Sequence, residues 1–192
     1  MDRKRQAPRR ERRPPQPLDP ARLEALALAY VARFATSAVK FERYLRRKVR
    51  ERGWEGADEP DLAALAGRYV ELGYIDDSAF ARARSGSLLR RGYGERRVRQ
   101  ALGEAGIDPA IREETRPGEG AARRAVLTLA RKRRFGPFGS AGDPWPLDRD
   151  RRQKQIAAML RAGHPLDSAR EMVDAPSEAA AEAWAAEADE ET

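Results

Sequence analysis

Chemistry at a protein site needs paired titratable groups, a nucleophile with its base, or a cage of metal-ligating side chains. This chain has no cysteine and a single histidine, His164. That excludes a cysteine nucleophile, a Cys-based zinc site, a disulfide scaffold and a conventional His-based triad. The one tempting carboxylate pair is Asp76-Asp77. Adjacent residues do not face each other on a helix, so they make a poor acid/base pair. Capping the next helix accounts for them better. His164 follows a glycine stop and precedes Pro165, which fits a turn or cap, and no second His or Cys exists to share a metal. Gly92-Tyr93-Gly94 lacks the preceding strand and the Lys-Ser/Thr pair of a phosphate loop. No catalytic constellation, metal site or cofactor site emerges, and the chain reads as a non-enzyme.

The basic residues carry more information. Charged residues make up 36% of the chain, well above the roughly 25% of an ordinary domain. The formal net charge of +7 hides a segregation by sign. Residues 1–17 carry a net +5, residues 174–192 a net −7, and the body between them +9. Lysine is rare, so the positive charge is mostly arginine, whose planar fork suits phosphates and carboxylates. A GC-rich genome explains the Arg/Lys ratio but not the segregation. Arg43, Arg46, Arg47 and Arg50 share one side of a helix, opposite Phe41, Tyr44, Leu45 and Val49. Arg96, Arg97, Arg99 and Gln100 lie away from a Val98/Leu102 stripe. Arg131-Lys132-Arg133-Arg134 ends a third helix, where cations favour the dipole. Arg149, Arg151, Arg152 and Lys154 open a fourth, where they do not. Such faces are either solvated and ion-paired within the chain or turned towards a polyanion, nucleic acid or an acidic protein.

The elements that must hold these faces are short helices. Apolar residues recur three and four apart: Leu23, Leu26, Tyr30, Phe34; Phe41, Tyr44, Leu45, Val49; Leu62, Leu65, Ala66, Tyr69; Val98, Ala101, Leu102, Ala105; Ala122, Val126, Leu129, Ala130; Ile156, Met159, Leu160; Leu166, Ala169, Val173. This is the period of amphipathic helices, and no segment alternates as a strand would. Helices this short must pack on one another to persist. Arg52-Gly53-Trp54, Leu72-Gly73-Tyr74, Arg91-Gly92-Tyr93, Ala105-Gly106-Ile107 and Ala162-Gly163-His164 repeat one stop, with glycine in the left-handed position past the helix end. Thr36 or Ser37, Asp76 or Asp77, Asp108, and Asp167 or Ser168 are the expected N-caps. The punctuation fits tandem units of about three helices, and equally an irregular helical domain.

The Arg/Pro arm 1–19 is expected to be disordered, since it has almost nothing apolar to offset ordering entropy. The acidic tail 176–192 is expected to be disordered or a fraying helix, with Trp184 its only large apolar group. Segment 135–146 holds three Gly, three Pro and three aromatics. It reads as an ordered loop pinned by Phe135, Phe138 and Trp145. No stretch approaches the ~20 apolar residues of a membrane span, and no apolar run follows the basic start. A cytoplasmic protein with no membrane partner is expected.

Leu72-Gly73-Tyr74-Ile75-Asp76-Asp77-Ser78-Ala79-Phe80-Ala81-Arg82 resembles the "L…GYLDD…FA" signature of the RecX family, regulators of the bacterial recombinase RecA. Arg91-Gly92-Tyr93-Gly94, Arg97-Val98 and Ala101-Leu102 are similar to the family's next motif, and Gly106-Ile107 to its "GI" stop. Ala27 to Tyr30, Ser37, Leu45-Arg46-Arg47-Lys48 and Leu160-Arg161-Ala162-Gly163 are similar more loosely. The resemblance covers about 22–174. It implies an all-α, elongated array of three tandem three-helix repeats between disordered tails, at 20–75, 76–116 and 117–175. It also implies a monomer that binds the RecA filament on DNA, single-stranded or double-stranded. There such proteins limit filament growth and depress ATP hydrolysis, strand exchange and repressor cleavage, all without catalytic residues. Gly73, Tyr74, Asp76, Asp77, Phe80, Ala81, Gly94 and Gly106 carry the motif. Arg96, Arg97, Arg99, Arg46, Arg47, Arg50, Arg131, Lys132, Arg133 and Arg134 are the candidate contacts to RecA or DNA.

Two other readings stay open. A helix-turn-helix regulator would use Arg96, Arg97 and Arg99 on a short helix, though little Asn or Gln accompanies them to read adenine. An adaptor for acidic proteins would need no DNA at all.

Overall fold

The computed structural model describes residues 16–140 and 147–190. Every helix expected from the periodicity forms. They are α1 (Pro20–Val31), α2 (Ala38–Arg52), α3 (Leu62–Glu71), α4 (Asp77–Arg90), α5 (Glu95–Glu104), α6 (Pro109–Glu114), α7 (Glu119–Arg133), α8 (Arg149–Ala162), α9 (Leu166–Asp174) and α10 (Glu178–Glu190). A single 3-10 turn, Gly136–Phe138, follows α7. The described residues form no strand, and the fold is all-α.

The punctuation is physical. Gly73, Gly92, Gly106 and Gly163 all sit at positive φ just past a helix. In each case the next residue donates its N–H back across the last turn: Tyr74 to the Tyr69 carbonyl, Tyr93 to Leu88, Ile107 to Leu102 and His164 to Met159, at 3.0–3.2 Å. These double-bonded stops satisfy carbonyls the helix leaves bare. At the other ends Asp19, Ser37, Asp61, Asp76, Asp108 and Asp148 accept backbone N–H groups as N-caps. Asp167 and Ser168 do not cap α9. That helix begins at Leu166 after Pro165, so Asp167 lies inside its first turn, where its charge still suits the dipole.

The apolar side chains gather in three clusters in chain order. Leu18, Phe41, Leu45, Tyr69 and Ile75 centre the first, among α1–α3. Ala81, Leu88, Val98, Leu102 and Ile107 centre the second, among α4–α6. Val126, Ala130, Met159, Met172 and Val173 centre the third, among α7–α10. In the first, the Tyr69 hydroxyl lies 3.3 Å from Glu24 Oε1, and burial, then that carboxylate, pushes the phenol up to about 12.

Two terminal expectations change. The end of the arm is not disordered: Leu18 is fully buried and exchanges backbone hydrogen bonds with Gly53 and Glu55, while Asp19 caps α1. Residues 1–15 lie outside the described residues. The acidic tail is also more than a fraying end. As α10 it buries Ala181, Ala185 and Ala188, with Trp184 half-buried. Charge composition argued for a tail, but alanines at helical spacing present a flat face that packs closely. In the loop after α7, Phe138 is buried and Phe135 half-buried, and the Gly136 N–H donates to Gln155 Oε1 at 2.7 Å. Trp145 lies outside the described residues.

Candidate functional site

The motif residues build joints between the clusters. At the first joint Asp77 does not cap its own helix, which Asp76 does. Asp77 Oδ1 instead accepts the Ala38 N–H at 2.9 Å, at the start of α2. The Ser37 hydroxyl, fully buried, donates to the Ala105 carbonyl at 2.6 Å. Gly106 admits Val39, whose Cβ would stand 2.4 Å from any Cβ added there. The looser Ser37 stretch and the Gly106 stop are therefore two halves of one contact.

The second joint is tighter. The Gly94 N–H donates to the Ala162 carbonyl at 3.0 Å, and the Arg96 N–H to Gly163 at 3.2 Å. A Cβ on Gly94 would lie 2.4 Å from the Gly163 carbonyl carbon and oxygen. His164, buried, lies across this joint with Nε2 3.0 Å from the Gly92 carbonyl. That carbonyl can only accept, so Nε2 carries the proton. Burial holds the imidazole below its ordinary range, against a smaller upward pull from this hydrogen bond. His164 thus locks two helical groups, a larger role than a turn residue.

The other motif residues act within their own clusters. Gly73 supplies the left-handed turn, Ala81 is fully buried, and Tyr74 lies mostly exposed against Tyr69, with ring centroids 5.5 Å apart. Phe80 is half-buried, with the Lys40 ammonium 5.1 Å from its ring centre.

The ten candidate basic residues divide. On α2, Arg46 pairs with Glu42, and Arg47 with Glu51 at 3.5 Å, while Arg50 is exposed. Arg131 pairs with Glu182 of α10. Arg134, in the left-handed conformation, donates to the Ser140 hydroxyl at 3.1 Å. Arg149, Arg151 and Arg152 open α8, and Arg152 forks onto Asp174, which raises its already high pKa. Arg96, Arg97 and Arg99 instead line a cleft of about 500 Å³ at the second joint, with Arg112 and Arg161. A second cleft of about 390 Å³, holding Arg91, Lys132 and Arg133, shares Arg161 with it. Neither cleft has an Asp or Glu in its lining. The Arg96 guanidinium donates to the Leu160 carbonyl, and Arg97 to Gln100 at 2.9 Å. Arg112 Nε is buried with no hydrogen-bond partner among the described residues.

Arg91, Arg112 and Arg161 were missed as site residues. The signal was there for two of them: Arg91 directly precedes Gly92 and Arg161 shortly precedes Gly163, so both stops place an arginine at the joint. The arrangement suits a chain of phosphates, because no carboxylate among the described residues lines either cleft, although Arg99 and Arg112 also border a neighbouring cleft that holds Glu95 and Glu113. Among the described residues no group of three or more His, Cys, Asp or Glu could hold a metal, and no helix is long and apolar enough to cross a membrane.

Known proteins show the same pattern. A family model described as "RecX, second three-helix domain" matches residues 76–115, which hold the motif residues from Asp76 to Gly106 but not Gly73 and Tyr74. The regulatory protein RecX of Stenotrophomonas maltophilia is 36% identical over 127 residues, covering 66% of this chain and 72% of that protein. The chain belongs to the RecX family. The RecX of Thermus thermophilus is 36% identical over 135 residues, covering 63% of this chain and 91% of its own. That of Myxococcus xanthus is 29% identical over 186 residues, covering 91% and 98%. The crystal structure of RecX from Lactobacillus salivarius shares the RecX fold at a TM-score of 0.59 and 18% identity, covering 78% of this chain and 90% of that one.

Proposed function

We propose that this RecX-family chain is a non-enzymatic regulator that binds the RecA filament on DNA and limits its growth and activities. The observation that carries the reading is the carboxylate-free arginine lining at the second joint. Arg96, Arg97, Arg99, Arg112 and Arg161 are its phosphate-facing residues, with Arg91, Lys132 and Arg133 beside them. Single-stranded DNA within the filament is the phosphate source. The three apolar clusters in chain order support successive units at 20–75, 76–116 and 117–175, the first reaching back to Leu18 and the third extended by α10, acting as one monomer in the cytoplasm. Repeats of this kind offer a long contact surface, and the basic cleft supplies on-rate.

A helix-turn-helix regulator fits less well. Such a module reads bases with the N-terminal residues of its recognition helix. The start of α5 is packed against residues 162–164 and cannot enter a groove.

The test is the single-stranded-DNA-dependent ATPase of RecA, titrated with this protein. Hydrolysis slows at substoichiometric to near-stoichiometric amounts. A flat titration with folded protein overturns the reading.

A further inference from the structure

Two clefts meet at Arg161 and differ in character. The cleft of Arg96, Arg97 and Arg99 is otherwise lined by Gln100, Gly103, Arg112 and Gly163, with no aromatic or aliphatic side chain. The cleft of Arg91, Lys132 and Arg133 adds two aromatic rings, Tyr93 and Phe135, and the aliphatic side chains of Leu129, Ala158 and Ala162. Its volume of about 390 Å³ falls within the roughly 300–1,000 Å³ of small-ligand pockets. No carboxylate among the described residues lines it, although Arg133 also borders a neighbouring cleft that holds Glu178.

The fold fixes these walls. Leu129, Lys132 and Arg133 stand three and four apart on α7, and Ala158, Arg161 and Ala162 do the same on α8, so each trio shares one helix face. The turn after α4 seats on α7 because Gly92 has no side chain: a Cβ there would lie 2.9 Å from the Leu129 nitrogen. The same turn is tied to the end of α8 by His164, whose Nε2 lies 3.0 Å from the Gly92 carbonyl. Tyr93 and Phe135 are both fold-back residues at helix stops. Tyr93 donates its N–H to the Leu88 carbonyl at 3.1 Å, and Phe135 to Ala130 at 2.9 Å. Both side chains are half-buried, so each is held in place with part of it still open to solvent. The Arg91 guanidinium lies 5.3 Å from the Tyr93 ring centre. A bare phosphate makes no use of aromatic walls. A nucleobase does, because its flat face stacks on aromatic rings and on guanidinium planes.

We propose that this cleft is a pocket for one unstacked nucleobase of a single strand whose phosphates lie in the neighbouring arginine cleft. Tyr93 and Phe135 meet the base, Arg161 stands where the two clefts join, and Arg91, Lys132 and Arg133 take the flanking phosphates. Every base has a π-face, so the pocket tolerates any sequence. A paired duplex keeps its bases stacked inside and offers none to a side pocket. This rests on the reading that the arginine cleft takes a nucleic-acid backbone.

The test compares a labelled oligo(dT) with an abasic phosphodiester oligomer of the same length, both on the full chain. The phosphates are equal, so the difference reads the bases. Wild-type protein binds oligo(dT) tighter by about fivefold or more. Tyr93→Leu and Phe135→Leu keep apolar bulk without a ring, and each lowers that ratio towards one while abasic affinity holds. Phe34→Leu, which removes an exposed ring of the first unit, leaves the ratio at its wild-type value. Circular dichroism checks that each variant keeps its helicity. Equal binding of the two oligomers by the wild-type protein overturns the proposal, and that comparison needs no variant to fold. An unchanged ratio in both leucine variants, an equal fall in Phe34→Leu, or no oligo(dT) binding at all also overturns it. So does displacement of oligo(dT) by micromolar ATP, which marks a free-nucleotide pocket instead. The RecA ATPase run in parallel separates the two claims. Inhibition without a base preference retires the pocket and leaves the proposed function standing. A base preference that the leucine variants lose, without inhibition, does the reverse.

Discussion

Gly94→Ala isolates the second joint. Gly94 has φ −84°, which any residue adopts, so the substitution carries no backbone strain. What it meets is backbone: a Cβ there lies 2.4 Å from Gly163 and 2.5 Å from the His164 nitrogen. Backbone cannot swing aside as a side-chain tip would. If the joint holds, the overlap costs about 1–3 kcal/mol. If it opens by the ~1 Å needed to reach ordinary contact, the Gly94–Ala162, Arg96–Gly163 and His164–Gly92 hydrogen bonds go, at roughly 1 kcal/mol each. Both routes lead to about 2–3 kcal/mol, a fall in Tm of roughly 4–10 °C for a chain this long. Thermal unfolding followed by circular dichroism reads it. Gly118→Ala is the control, because φ is −64° there and nothing lies within 4 Å of the added carbon. If Gly94→Ala melted with Gly118→Ala, the joint would not be a packed contact and the role given to the motif glycine would be wrong.

Asp77→Ala removes a cap that acts on the preceding helix group. It costs about 1 kcal/mol in urea unfolding, and the Ala38 amide loses protection in hydrogen exchange. Phe80→Ala costs less than the ~3–5 kcal/mol of a fully buried phenylalanine, because the ring is half-buried beneath Lys40. The same unfolding curve measures it. His164 gives a pH signature. Its folded pKa is depressed by burial, so the unfolded chain binds the proton first as pH falls. Stability is fully present above the unfolded value of about 6.5 and is lost as pH falls below it towards the folded value. His164→Gln, which removes the only histidine, flattens the dependence of Tm on pH across that window.

Local chemistry made most of the fold readable. The glycine stops and the aspartate caps are single-residue devices whose conformational demands are fixed within one turn, and four of the five predicted stops form as expected; Gly53 ends α2 at positive φ but with an extended ψ, and Trp54 pairs with Leu18 instead of folding back. α4 and α6 carry no clear apolar stripe, and only their caps and stops announced them. The joints were less readable. The type of residue at Gly94, Gly106 and Asp77 marked them as special, but their partners lie 39 to 72 residues away in some cases, such as Ala38 with Asp77 and Gly92 with His164. Helix faces also mispriced the arginines. A helical wheel places Arg46 and Arg47 outward without showing that Glu42 and Glu51, one turn away, neutralise them. It cannot show that Arg161 shares a cleft with Arg96 and Arg99, because packing of two clusters brings them together. The acidic tail was misjudged for a related reason: its charge was visible, and its pairing with Arg123 and Arg131 of α7 was not.

The measurement closest to the central claim compares charge reversal inside and outside the cleft. Arg99→Glu with Arg161→Glu, and Arg46→Glu with Arg47→Glu on α2, change the net charge equally. Inhibition of the RecA ATPase at matched protein concentration is the readout, with helicity checked by circular dichroism. The account predicts that the cleft pair loses most of its inhibition and its salt dependence, while the α2 pair stays close to wild type. Equal loss in both, or a cleft pair that inhibits like wild type, would contradict the assignment of the cleft as the working surface.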